Sequence, residues 1–317
     1  MAQQVAANGV ALAAGHRGRS SHAFRVGHHL EAPTSGDQTE NMVEREPRRW
    51  RYSFASVVGS SHIKRGQRCQ DASACEVVEH DEGSLLVAAT ADGAGTAGHS
   101  RTGSRLACYV LGESVRRLLK RGGGVEDIDR SFAEGVVDRF RLVAECVAKL
   151  SGHGRRDFAC TLLACFVGRE RSAFMQLGDG AIVIARREAP DIYDHVFWPQ
   201  QGEFANETTF ATGSEAEDDL QFCVHHGMVD EVALFSDGLQ NMVLDYEDRK
   251  AHSKFFQPMF HSARHTSSGY SRRLSVALAE YLASPEIVSR TDDDKTLVLA
   301  TRRAPSRPMP RRSRARV

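Results

Sequence analysis

Five aspartates, Asp71, Asp92, Asp179, Asp237 and Asp293, stand in short clusters that recur along the chain: Gln70-Asp71, Asp92-Gly93, Gly178-Asp179-Gly180, Ser236-Asp237-Gly238 and Asp292-Asp293-Asp294-Lys295-Thr296. Three of them follow apolar runs readable as β-strands: residues 85–91 run into Asp92, 173–177 towards Asp179 and 232–235 towards Asp237. A single Asp-Gly pair is by itself a turn, because both residues tolerate the dihedrals a turn needs. Repeated at successive strand ends, the carboxylates would gather at one rim of a sheet and repel one another. A hard divalent cation, which prefers oxygen donors, relieves that repulsion, so the pattern reads as a Mg²⁺ or Mn²⁺ site.

The elements that must position these residues follow from periodicity. Residues 52–59 alternate as a strand, 74–78 form a second, and 85–91 are apolar enough for a strand buried on both faces. Residues 100–120 and 125–150 then carry apolar side chains at helical spacing, with Leu106, Val110, Leu111 and Val115 on the first and Phe132, Val136, Phe140 and Val147 on the second. A meander follows at 160–167, 174–177, 181–185 and 195–198, with shorter strand-like pieces at 208–211 and 221–224. Residues 231–236 read as a strand, 270–282 as a helix and 297–301 as a closing strand. Strands and helices do not alternate, which excludes a doubly wound parallel sheet and predicts two packed, mainly antiparallel sheets with helices outside.

The 317 residues, 41% hydrophobic, suffice for one sizeable core. Charge is unevenly spread: seven arginines give residues 302–317 a charge of +7 with no acid, so the rest of this formally neutral chain carries −7. Residues 1–48 read as a disordered leader, 49–301 as the folded domain and 302–317 as a basic, Arg/Pro-rich disordered tail. No nucleic-acid partner is expected, because the basic segment lies outside that folded body. Seven scattered cysteines without a Cys-x-x-Cys pair point to reduced thiols and a cytoplasmic location. No run approaches the roughly 20 apolar residues of a membrane span, so no membrane association is expected.

The ordered string Gly59-x-x-His62-x-x-x-Gly66-x-x-Cys69-Gln70-Asp71, Ala91-Asp92-Gly93-Ala94-Gly95, Ala159-Cys160-Thr161-Leu162, Leu177-Gly178-Asp179-Gly180, Ser236-Asp237-Gly238 and Asp293-Asp294-Lys295-Thr296 resembles the metal-dependent serine/threonine phosphatases of the PPM type, the protein phosphatase 2C family. Residues 202–210 look like a segment of a compact, mostly bacterial branch of it. The resemblance implies an α+β fold, a four-layer α-β-β-α sandwich of two mainly antiparallel sheets flanked by helices. It also implies hydrolysis of phosphoserine and phosphothreonine in proteins by a hydroxide bridging two divalent metals, Mn²⁺ or Mg²⁺. By resemblance Asp92 bridges both metals, Gly93 offers its carbonyl to one, Asp237 and Asp293 ligate one, and Asp71 holds the other largely through water. Asp179, with Asp237, resembles the holder of a third, weaker metal. The partners implied are a phosphorylated protein substrate and a serine/threonine kinase or its target.

Two departures matter. Ala94 stands where animal and plant members carry a histidine, and Gly66 stands where many carry a phosphate-binding arginine. Lys64, Arg65 and Arg68 flank that position, and Arg65 is taken as the phosphate ligand because a guanidinium suits bidentate recognition. The departures keep a second reading open, a catalytically weak regulator of the same fold that binds a phosphorylated partner. His62 and His99 are each either a hydrogen-bonding residue or an acid. Thr161 and Ser236 are expected to support the carboxylates.

Overall fold

The computed structural model describes residues 49–80, 83–200 and 208–305. The chain enters through buried Trp50 into β1 (Arg51–Val57), then a short helix α1 (Ser60–Lys64) and the hairpin β2 (Ala72–His80) and β3 (Gly83–Ala91). Helices α2 (Ser100–Lys120) and α3 (Arg130–Ser151) follow. Next come β4 (Leu162–Val167), β5 (Arg171–Leu177), β6 (Ala181–Arg186), β7 (Asp194–His195), β8 (Gln221–His226) and β9 (Val229–Phe235). The last third holds α4 (Gln240–Val243), β10 (Leu244–Asp245), β11 (Lys250–Ala251), α5 (Ser253–Arg264), β12 (Gly269–Tyr270), α6 (Arg272–Leu282), α7 (Pro285–Val288) and β13 (Lys295–Thr301).

Two sheets result, one ordered β12-β1-β13-β9-β6-β7 and the other β2-β3-β4-β5-β8, with β10 and β11 forming a small ribbon. All pairings are antiparallel except the short β1–β12 contact. Three apolar layers hold them. Leu111, Val137 and Phe140 pack α2 and α3 on the five-stranded sheet at Val87 and Phe166. Phe256, Phe260 and Leu282 pack α5 and α6 on the six-stranded sheet at Phe235 and Leu299. Between the sheets lie Leu86, Phe174, Leu234 and Val298. The α-β-β-α sandwich expected from the sequence is therefore the observed fold. Central strands β9 and β13 are buried along their whole length, which is why they read as continuous apolar runs rather than alternating ones.

Several expectations need correction. Helix α5 escapes the periodicity because Pro258 sits inside it, although Phe255, Phe256, Met259, Phe260 and Ala263 keep helical spacing. Residues 208–211 turn instead of extending, with the Phe210 carbonyl accepting from the Gly213 N–H at 2.8 Å. Strand β7 is cut to two residues, although the Val196 N–H still donates to the Ile182 carbonyl at 2.8 Å. The boundary at 301 is also too early. Arg302 and Arg303 are each only 7% exposed. The Arg302 N–H donates to the Asp230 carbonyl at 2.9 Å, and both guanidinium groups lie on the buried acids Asp230 and Glu231. Composition suggested a solvated tail, but a buried acid pair gives these arginines a partner inside the body. Residues 1–48, 202–207 of the segment compared above and 306–317 lie outside the described residues. Among the described residues no helix is long and apolar enough to cross a membrane.

Candidate active site

One rim of the sandwich collects the ends of strands from both sheets. Asp71 immediately precedes β2, Asp92 follows β3, Asp179 follows β5, Asp237 follows β9, and Asp293 precedes β13. The hydroxyls of Ser236 and Thr296 each donate to Asp71 Oδ2 at 2.8 Å. The Asp92 N–H donates to Thr161 Oγ1, and the Thr161 N–H returns a bond to the Asp92 carbonyl, both at 2.8 Å. Thr161 and Ser236 thus hold the positions anticipated for them. The Asp92 carboxyl lies against those of Asp71 and Asp237. Gly93, beside it, is buried and bridged to Cys160.

Burial raises Asp71 to about 7, the charge of Asp294 adding to it, while the bonds from Ser236 and Thr296 oppose the shift. Burial likewise raises Asp237 to about 6, with Asp179 and Asp293 adding charge. Asp92, desolvated and between two acids, is pushed well above the carboxylate range. Asp179 is raised by burial, against a 2.7 Å bond from Thr208 Oγ1. Its carbonyl accepts from the Gln240 amide.

Among the described residues Asp71 Oδ1 and Asp237 Oδ1 are buried with no hydrogen-bond partner. Buried carboxylate oxygens normally find a donor, so two orphans beside a third crowded acid are oxygens that could serve a cation. Carboxylate and carbonyl oxygens suit Mg²⁺ or Mn²⁺ and do not favour zinc. Among the described residues no three His, Cys, Asp or Glu side chains surround one common point at ligand distance. The acids lean on each other instead.

Asp294 does what the sequence did not reveal. Its Oδ1 accepts from the Gly59 N–H at 2.6 Å and its Oδ2 from the Gln70 N–H at 2.5 Å, tying the loop before Asp71 to the turn that carries Asp293. His62, only 4% exposed, places Nδ1 2.9 Å from Asp294 Oδ1, so it supports that tie. Two glycines let the loops close: a Cβ on Gly59 would lie 2.3 Å from the Asp293 carbonyl carbon, and one on Gly238 would lie 2.0 Å from the Asp294 oxygen. Lys295, fully buried, donates to the Asp293 carbonyl at 2.9 Å. Three adjacent aspartates look alike in sequence; the pairing of Thr296 with Ser56 in β1 decides which face each takes.

Among the described residues the three basic candidates and His99 make no hydrogen bond to these carboxylates. Arg65 is exposed, its guanidinium on the Ser61 carbonyl at 3.2 Å and hydroxyl at 3.5 Å, and Lys64 and Arg68 are exposed as well. His99 stacks on Phe158 with ring centroids 5.3 Å apart and is no part of the rim. Burial, with Asp71 and Asp294 nearby, pushes the Cys69 thiol far up, which keeps it protonated.

A family profile described as protein phosphatase 2C matches residues 58–283. The chain belongs to the protein phosphatase 2C family. It is 34% identical over 255 residues to serine/threonine-protein phosphatase 3 of Escherichia coli (strain K12), across 79% of this chain and 98% of that protein. Among solved structures, a bacterial serine phosphatase bearing a single arginine-to-lysine mutation superposes with a TM-score of 0.54 at 12% identity, covering 80% of this chain and 98% of its own. PppA, described as a key regulatory component of T6SS in Pseudomonas aeruginosa, gives 0.50 at 18% identity, covering 80% and 97%. At these identities the two structures speak for the sandwich alone. This phosphatase 2C is a protein serine/threonine phosphatase, which implies phosphoprotein substrates and a divalent-metal requirement.

Proposed function

We propose that this phosphatase hydrolyses phosphoserine and phosphothreonine in cytoplasmic proteins at the carboxylate rim, opposing a serine/threonine kinase. The observation that carries the reading is the pair of buried, unpartnered oxygens on Asp71 and Asp237 with Asp92 wedged between them. Asp92, the Gly93 carbonyl, Asp237, Asp293 and Asp71 would hold two divalent ions, Mn²⁺ or Mg²⁺, and Asp179 with Asp237 a third, weaker one. When bound, such ions acidify a shared water to hydroxide and neutralise charge on phosphoryl oxygens.

The chain's own residues set the stage for that chemistry. Ser236 and Thr296 fix Asp71 so that Oδ1 faces the rim, and Thr161 fixes the backbone at Asp92. Asp294 keeps the loops carrying Asp71 and Asp293 at fixed separation. Ala94 has no proton to give, so the leaving alkoxide takes its proton from water at the open rim. The protonated Cys69 thiol is no nucleophile, which agrees with direct attack by water. Arg65, bonded only to Ser61 among the described residues, is the basic side chain assigned to reach a phosphate there. The catalytic body is taken as residues 49–305.

Purified full chain should hydrolyse p-nitrophenyl phosphate and a phosphothreonine peptide with Mn²⁺ or Mg²⁺ and lose this turnover in EDTA. Turnover no greater than that of Asp92→Asn would overturn the proposal.

A further inference from the structure

A groove of about 690 Å³ runs away from the carboxylate cluster, with Asp71 lining its rim end. Its floor is β2, and five consecutive residues, Ala72–Glu76, all line it. Successive side chains of a strand point to opposite faces, so a surface touched by five in a row is the strand's edge. Among the described residues β2 is the last strand of its sheet, paired to β3 alone, so its outward N–H and C=O groups have no ladder partner there. One wall is β1 at Phe54–Ser56; the other is the face of α2 that carries Arg101, Arg105, Tyr109 and Arg116.

The charges on that wall are ordered. Arg116, farthest from the rim, is neutralised by Glu76 at 2.9 Å and Glu113 at 2.6 Å, which closes the far end. Arg101 and Arg105, on the first turns of α2 beside Asp71, are exposed and have no acidic partner among the described residues. Tyr109, 64% exposed, stands between the two sets. The lined stretch of β2 is about 17 Å long, the reach of a five-residue extended segment. Residues 306–317 do not suit it, since their five arginines repeat the charge of the wall.

We infer that this groove receives an extended, acidic segment of the phosphoprotein substrate, adjoining the phosphorylated residue, by strand addition to β2 with its carboxylates on Arg101 and Arg105. The inference rests on the hydrolytic reading above and deepens it by naming a substrate class. It places specificity on α2, a helix that supplies no carboxylate to the rim.

The test compares phosphothreonine peptides with Asp/Glu or with Ser/Gly flanks, on either side of the phosphothreonine, using the full chain with Mn²⁺. Wild type should show a KM about three- to tenfold lower for one acidic-flank peptide, a gap that salt narrows, because partly exposed charge pairs are individually weak. Arg101→Glu/Arg105→Glu should erase the gap while kcat and p-nitrophenyl phosphate turnover stay unchanged. Arg101→Lys/Arg105→Lys should keep most of it. Three results would overturn the inference: no preference in wild type, a preference that survives charge reversal, or equal loss of p-nitrophenyl phosphate turnover in the reversed variant. A dimer dissolved by the charge reversal would assign the groove to a second copy and overturn it too. Wild type inert towards p-nitrophenyl phosphate would refute the hydrolytic reading instead, and fluorescence anisotropy of the labelled acidic peptide on wild type and the reversed variant would still decide the groove.

Discussion

Strand β9 has acids at both ends, buried at its start and half-buried past its end, and the two ends neutralise them differently. At its start, Asp230 receives Arg187 at 2.8 Å and Arg302 at 3.2 Å, and Glu231 receives Arg264 at 2.6 and 2.8 Å. Burial alone would raise Asp230, but the bonds and charges of Arg187, Arg302 and Arg303 outweigh it and hold the carboxyl below its usual range. At the other end Asp237 meets Asp92, with Asp179 and Asp293 adding negative charge, and burial raises both Asp237 and Asp92. A buried charge must be partnered or protonated. At the start of β9 arginines pair with the acids directly; at the rim hydroxyls and one lysine, Lys295, stand among several acids, and on the reading proposed above a cation from solution takes up the remaining charge.

The largest expected effect is on the open end. Asp92→Asn should lower Mn²⁺-dependent turnover by more than the roughly 10–100-fold typical of supporting residues. In EDTA the same variant should melt above wild type, because it removes a crowded acid, and Mn²⁺ should then raise its melting temperature less than it raises that of wild type. Equal Mn²⁺ affinity by calorimetry in the two proteins would break the comparison. At the closed end, a chain ending at Thr301 loses Arg302 and Arg303 and should lose about 3–5 kcal/mol in denaturant unfolding. A chain ending at Pro305 should match wild type in both stability and turnover.

Thr296→Val should sharpen the contrast on a smaller scale. It removes one donor from Asp71 Oδ2 and should weaken Mn²⁺ binding about 10–100-fold in a calorimetric titration. The smallest effect is on pH dependence in EDTA. Asp71 and Asp237 titrate higher in the folded protein than the ordinary carboxylate value near about 4, so their contribution is fully present below that value. It is lost as pH rises through about 6 to 7. Asp230, held low, contributes in the opposite sense: its share is present above the ordinary value and is lost as pH falls through its lowered one. Metal-free stability should therefore fall between about pH 4 and 7, and Asp71→Asn should flatten that slope in denaturant titrations.

The sequence exposed the rim because its acids end apolar runs, a pattern that survives without knowing which strands pair. It exposed the sandwich for the same reason, since β3, β9 and β13 are too apolar to lie on a surface. Asp294 stayed hidden because its partners, Gly59, His62 and Gln70, are more than two hundred residues away and act largely through backbone N–H groups, which carry no sequence signal. Arg302 and Arg303 were hidden by their neighbours: an Arg/Pro-rich run reads as solvated until Asp230 and Glu231 are placed beside it. The parity of β13, continued by one residue past Thr301, was the available clue.

The pairing of β1 with β13 has a consequence for how the protein is made. Val57 lies opposite Lys295, roughly 240 residues later in synthesis. At about 5–20 residues per second the ribosome needs on the order of 12–50 s to deliver the partner strand. Throughout that interval β1 lacks its long antiparallel partner, and Asp71 and Asp92 precede Asp237 and Asp293. Such non-local pairing is slow to form and open to aggregation. On the reading proposed above, a chain released before Lys295 lacks β13 and should show no phosphatase turnover.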